Sequence, residues 1–187
     1  MTDFTNTPKG DPVTYKMSAT HSRDIGFTAH SSIMRHTDQK SVNLRVAYPD
    51  GTLVDRATGN EYSYLFWEGI SHTEYDFSRG YVIAGEDTAE FLEATLAELG
   101  LNRTEANEFI VYWLPRMQGN PYNLISFQRE RYTDAAKLTI TPEPDSVLRV
   151  FMAYQALDEK IEVEEPVIEP FERNGFTVVE WGGAEIK

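Results

Sequence analysis

The sequence predicts an α+β fold: a mainly antiparallel β-sheet of about six to eight strands, with a central two-helix hairpin packed on one face. Three observations carry this. Strand-like segments come first, two segments of helical period follow, and strand-like segments return. Both helical segments carry an apolar stripe on one side. The 10 Tyr, 10 Phe and 3 Trp supply enough apolar surface for a packed core. At 187 residues the chain suits one domain. Residues 41–187 read as that single α+β domain. Residues 1–40 are polar, rich in Thr and Ser, and read as a loosely ordered N-terminal extension.

The elements follow in order. In 41–49, Val42, Leu44, Val46 and Tyr48 alternate with Asn43, Arg45 and Ala47, the period of a half-buried strand. Turn chemistry at 49–52 leads to Leu53 and Val54, which continue a hairpin, and a second turn covers 57–60. Segment 61–69 (EYSYLFWEG) is apolar on both faces, as in a strand covered on both sides. Residues 81–85 make a short strand. In 87–100, Phe91, Leu92, Thr95, Leu96 and Leu99 form one stripe, and Gly100 stands where a helix ends in left-handed geometry. Asn102 and Glu105 form a capping box for a second helix, with Ala106, Phe109, Ile110, Trp113 and Leu114 inward and an end near Pro115. Strands are expected at 122–128, 137–141, 147–154 and 176–183. The stretch 158–172 holds seven acidic side chains, one Lys, Pro166 and Pro170, and reads as an extended acidic loop.

Charge narrows the partners. The chain has 17 Lys and Arg against 30 Asp and Glu, a net charge of −13 spread over both halves. Such a surface repels phosphate backbones and anionic lipid, so neither nucleic acid nor membrane is an expected partner. The expected partner is a protein or a small-molecule ligand; composition leaves the oligomeric state open. No apolar run reaches the length of a membrane span. As written the chain shows no signal peptide and is expected in the cytoplasm, or outside the cell if a leader precedes it. Cysteine is absent, which removes thiol catalysis, disulfides and cysteine metal sites.

Glycine-rich phosphate loops, HExxH and nucleophile elbows are missing, and no cofactor is expected. A DNA-reading helix–turn–helix is not expected from this pair, since the first helix is acidic and the second carries only Arg103 before its end. His21, His30 and His36, with His72 further on, lack the i, i+4 or i, i+2 spacing of a metal site; Asp24 or Asp38 would join any site they formed. Glu68 follows Trp67 at a strand end, and Glu180 precedes Trp181 in the same manner. A carboxylate against an aromatic wall suits a general acid, and two such pairs suit a sugar cleft. The competing reading is solvated glutamates and core tryptophans. Arg116, Asn120, Tyr122 and Asn123 cluster after the second helix, either to present donors to a ligand or to tie down the helix end.

The segments EYSYLFWEG (61–69), LGLNRTEANEFIVYWLPRMQGNPYNLISF (99–127), DSVLRVFMAYQAL (145–157) and FERNGFTVVEWGG (171–183) resemble a family of conserved, mostly bacterial proteins without an established activity. The resemblance covers about residues 42–187. It implies that Trp67, Glu68, Trp113, Pro115, Glu180 and Trp181 matter together, for packing or for a ligand. The functional expectation is a non-enzymatic ligand-binding or protein-interaction domain. The alternatives are a metal-independent, glycan-directed hydrolase using Glu68 and Glu180, and a metal-binding protein using the N-terminal histidines.

Overall fold

A helical hairpin sets the frame of the molecule. The structure is a computed structural model that describes residues 11–19, 23–30, 41–48, 51–55, 58–71 and 73–187. After a 3₁₀ turn at Gly85–Asp87, α1 spans Thr88–Glu98 and α2 spans Arg103–Met117. Gly100, at φ 102°, ends α1. It lets the Leu101 N–H reach the Leu96 carbonyl at 3.0 Å and its own N–H reach Ala97 at 3.1 Å. Asn102 then opens α2 with the expected capping box. Its side chain accepts from the Glu105 N–H at 3.0 Å, and Glu105 accepts from the Asn102 N–H at 2.8 Å. The helix continues past Pro115 to Met117, two residues beyond the expected end. Proline removes one N–H, but Gln118 still donates to the Leu114 carbonyl at 2.9 Å. Trp113 and Met117, both buried, hold this last turn on the core.

The strands are β1 (Asp11–Ala19), β2 (Arg23–His30), β3 (Ser41–Ala47), β4 (Leu53–Asp55), β5 (Glu61–Tyr62), β6 (Leu65–Ser71), β7 (Tyr81–Ala84), β8 (Tyr122–Gln128), β9 (Lys137–Thr141), β10 (Ser146–Leu157) and β11 (Thr177–Glu185). They form two sheets rather than the expected one. A six-stranded sheet has the order β6-β1-β11-β10-β8-β7, and a five-stranded sheet has the order β5-β4-β3-β2-β9. The larger sheet is mixed instead of mainly antiparallel, because β10 and β11 run parallel. The chain leaves β10, travels the length of the sheet through residues 158–176 and re-enters beside its own start, so the two strands share a direction. Pro166 and Pro170 keep that crossover from becoming a helix.

Three further differences from the sequence reading have local causes. The 61–69 segment divides into β5 and β6 at Ser63–Tyr64. A short helix, α3 (Glu130–Ala135), precedes β9; six residues are too few to display a helical stripe. β1 and β2 lie within residues 1–40, and β1 is seated between β6 and β11. The alternation of Val13, Tyr15 and Met17 is the signal for it, set among polar residues that mask it.

The core fills the space between the hairpin and one face of the larger sheet. Leu148, Val150, Met152 and Tyr154 of β10 and Val179 and Trp181 of β11 meet Leu92, Leu96, Phe109, Trp113 and Met117 from the helices. Each such side chain contributes about 1.5–3 kcal/mol on burial. Gly183 is required here, because a Cβ would stand 2.4 Å from the Met152 carbonyl oxygen and 2.9 Å from the Trp113 ring. The opposite face carries α3, with Tyr132 and Ala136 packed on Phe151 and Ala184. The crossover is strapped down along its course. The Gly80 N–H donates to the Glu164 carbonyl at 3.0 Å, and Ile168 and Phe171 pack on the core. Arg173 bonds the Gly100 carbonyl at 2.7 Å and the Glu105 carboxylate at 3.0 Å.

Candidate functional site

Two neighbouring features under and beside α3 define the candidate site. The first is a column of stacked groups. Tyr75 lies 5.2 Å from the Phe151 ring, Phe151 lies 4.4 Å from Tyr132, and the Arg149 guanidinium lies 4.5 Å from the Tyr132 centroid. Arg149 and Glu180 are register partners on β10 and β11, so their side chains leave the sheet together. Arg149 Nε donates to Glu180 Oε2, and Nη1 donates to the Ala136 carbonyl at 2.7 Å. The Glu180 side chain is only 1 % exposed. Burial works against the Arg149 charge, but the adjacent Glu180 carboxylate more than offsets it and holds the guanidinium protonated. Glu180 Oε1 has no hydrogen-bond partner. The pair is therefore a buried ion bridge between parallel strands.

The second feature is a cleft at a step in the sheet. β8 pairs with β10 only over residues 151–157 and ends at Gln128. The chain turns away at Arg129 into α3, while β10 runs on to Ser146. The notch this leaves holds a cavity of about 390 Å³. Val147 to Phe151 line one side of it. Leu99, Phe127 and Phe171 supply apolar wall, and Thr133, Arg129 and Glu169 supply polar groups. Arg129 is clamped to Glu169 through its carboxylate and its carbonyl, each at 3.0 Å. Behind the cleft, segment 73–80 is tied to β8. Ser126 donates to the Asp76 carbonyl at 2.8 Å, Gln128 Nε2 donates to the same carbonyl at 2.8 Å, and the Asp76 N–H returns a bond to Gln128 at 3.0 Å. The Asp76 carboxyl is held below its usual range, first by the Ser78 N–H and then by the Ser78 hydroxyl and Arg131.

The residues singled out in the sequence are dispersed. Trp181 is 2 % exposed and packs 5.2 Å from Phe109, inside the core. Trp113 is 3 % exposed and packs on Tyr154 and Phe109. Trp67 and Glu68 belong to β6, and their side chains lie outside the described part of the structure. In register, Glu68 shares a row with Thr14 and Gly183, while Glu180 shares one with Met17 and Leu65. β1 stands between them, and two strand spacings with three residue rises put their backbones roughly 14 Å apart.

The cluster after α2 is brought together. Asn120 Nδ2 donates to Asn123 Oδ1 at 2.7 Å. Asn123 Nδ2 donates to the Met117 carbonyl at 3.0 Å and to Thr88 Oγ1 at 3.2 Å. Arg116 lies 4.1 Å over the Tyr112 ring and donates to the Tyr112 carbonyl. These bonds serve the end of the helix. His21, His36, Asp38 and His72 lie outside the described residues, and His30 is described only as the end of β2. Among the described residues no three His, Asp or Glu side chains form a group able to hold a metal, and no helix is long and apolar enough to cross a membrane.

Sequence reasoning missed both features of the site. One sign of the column was available: Arg149 interrupts the apolar run 147–154, and a lone arginine in a buried strand needs a buried partner. The cleft had no sign, since it arises from unequal strand lengths. The fold and cleft together describe an α+β domain with a stepped sheet edge. The chain matches no protein-family model, no curated protein and no solved structure.

Proposed function

We propose that this protein is a non-enzymatic binding domain and that the cleft beside Val147–Phe151 is its ligand site. The observation that carries this is the notch itself: a concave, largely apolar cavity with a few fixed polar groups, bounded by rigid elements on three sides. Arg129 offers a donor and the Thr133 hydroxyl, which donates to the Glu130 carbonyl, an acceptor at its mouth, and the packed column lies behind it. The buried, ion-paired state of Glu180 supports a structural role for that carboxylate over a hydrolytic one. The resemblance to conserved bacterial proteins is compatible with this reading and adds no activity to it.

Filling the notch tests the proposal. Thr133→Trp is expected to leave the circular dichroism spectrum unchanged and to abolish the thermal stabilisation that bound ligands give the wild type. Ligand-induced NMR shifts that cluster away from the cleft would overturn it. So would turnover on a hydrolase substrate panel that is lost in Glu68→Gln.

A further inference from the structure

We infer that the cleft takes an extended peptide, which adds to the larger sheet as a strand on the open edge of β10. The inference rests on the cleft being the ligand site and names the class of its occupant. It comes from the hydrogen-bond alternation of a parallel ladder. Ser146 N–H donates to the Phe176 carbonyl at 3.2 Å, and Ile186 N–H donates to the Tyr154 carbonyl at 2.8 Å. In a parallel pair, alternate residues direct both backbone groups to the same neighbour. Even-numbered residues of β10 therefore face β11, and odd-numbered ones face the other side. There Phe151, like Ala153, lies in the stretch that β8 covers, whereas Val147 and Arg149 lie beyond its end. Had β8 continued, its residues 130 and 132 would have met them, but these belong to α3.

Among the described residues β8 pairs only with 151–157, and no backbone bond outside the strand ladders involves Val147 or Arg149. Two donors and two acceptors thus line one wall of the cleft at the spacing of a strand. That spacing is complementary to extended backbone. The occupant's alternate side chains would meet Leu99, Leu148 and Phe171 on the hairpin face, and Thr133 and the Arg149 stem on the other. The open edge is roughly 17 Å long, room for about five residues. Charge sets the flanks. Glu169, Pro170 and Phe171 of the crossover line the cleft, in a stretch, 158–172, that carries seven acidic residues and one Lys. The occupant is therefore a short apolar peptide with basic residues at its ends.

Amide hydrogen exchange on the free protein is the first test. Val147 and Arg149 are expected to exchange at least about tenfold faster than Leu148 and Val150, whose N–H groups face β11. Equal protection of all four would overturn the inference. The second test uses a nonapeptide selected on the intact protein from a random phage library and then synthesised. Binding is expected to protect the Val147 and Arg149 amides and to weaken with added salt. N-methylation at alternate peptide residues is expected to weaken binding by about tenfold or more, and at the intervening residues by less than about threefold. Val147→Pro, which removes one outward N–H and leaves the β11 ladder intact, is expected to weaken it similarly. A peptide that binds in the cleft but tolerates every N-methylation overturns strand addition and leaves the cleft as ligand site. Failure to select any peptide overturns strand addition, and Thr133→Trp with small ligands then decides the cleft separately. A concentration-dependent dimer that protects Val147 and Arg149 makes a second copy the occupant and overturns the peptide assignment.

Discussion

Arg149 and Glu180 show how a single pair constrains a strand junction. Each ion loses several kcal/mol of hydration on burial, and mutual attraction repays this only while both are present. Arg149→Met is therefore expected to destabilise the protein by about 3–5 kcal/mol in urea unfolding, because it strands the Glu180 charge. Arg149→Met combined with Glu180→Leu is expected to recover most of that loss. Equal losses in the single and double variants would mean that packing on Tyr132, and not charge, holds the site. Tyr154 makes a pH-dependent contribution. Burial, helped by the nearby Glu185 carboxylate, raises its pKa well above the ordinary value of 10.0. Below that value both native and unfolded chains keep the phenol protonated, and its contribution is fully present. Above it the unfolded chain releases the proton first, so stability falls as pH rises. Tyr154→Phe is expected to flatten the alkaline limb of a Tm-against-pH curve.

Elements depend on local chemistry that sequence displays well. The stripe of Leu92, Leu96 and Leu99, the Gly100 stop and the Asn102–Glu105 box all lie within a few residues of the structure they specify, and all were legible. Asn102→Ala is expected to cost about 1 kcal/mol of stability by thermal unfolding. Gly183→Ala is expected to cost more, since its Cβ would meet the Met152 carbonyl and the Trp113 ring, neither of which has room to retreat. An unchanged Tm in Gly183→Ala would show that β11 can shift within the core. The candidate site was illegible for the opposite reason. Arg149 meets Glu180 through parallel register, and the notch exists because β8 stops where β10 continues. Both facts belong to pairings between distant segments, and no local pattern encodes them. Trp67–Glu68 and Glu180–Trp181 resemble each other as strings, yet β1 separates their strands.

At the scale of the molecule, charge and connectivity dominate. A net charge of −13 makes the folded chain repel itself, and added salt screens that repulsion over about 10 Å at 0.1 M. Tm is expected to rise between low salt and about 0.3 M sodium chloride, most steeply at the low end. A flat profile would show that the Arg79–Glu164, Arg103–Glu93 and Arg129–Glu169 bridges, all exposed, already balance the surface locally.

The last strand of the chain, β11, lies in the interior of its sheet, between β1 and β10. A ribosome delivers it after β1 to β10 and the three helices. Until residues 177–185 emerge, β1 with β6 and β10 with β8 and β7 are fragments with raw margins, and Trp181 has yet to enter the core. A chain halted before that point would carry unpaired strands and be prone to aggregate, and closing the larger sheet must wait on the pairing of β11 with the distant β1.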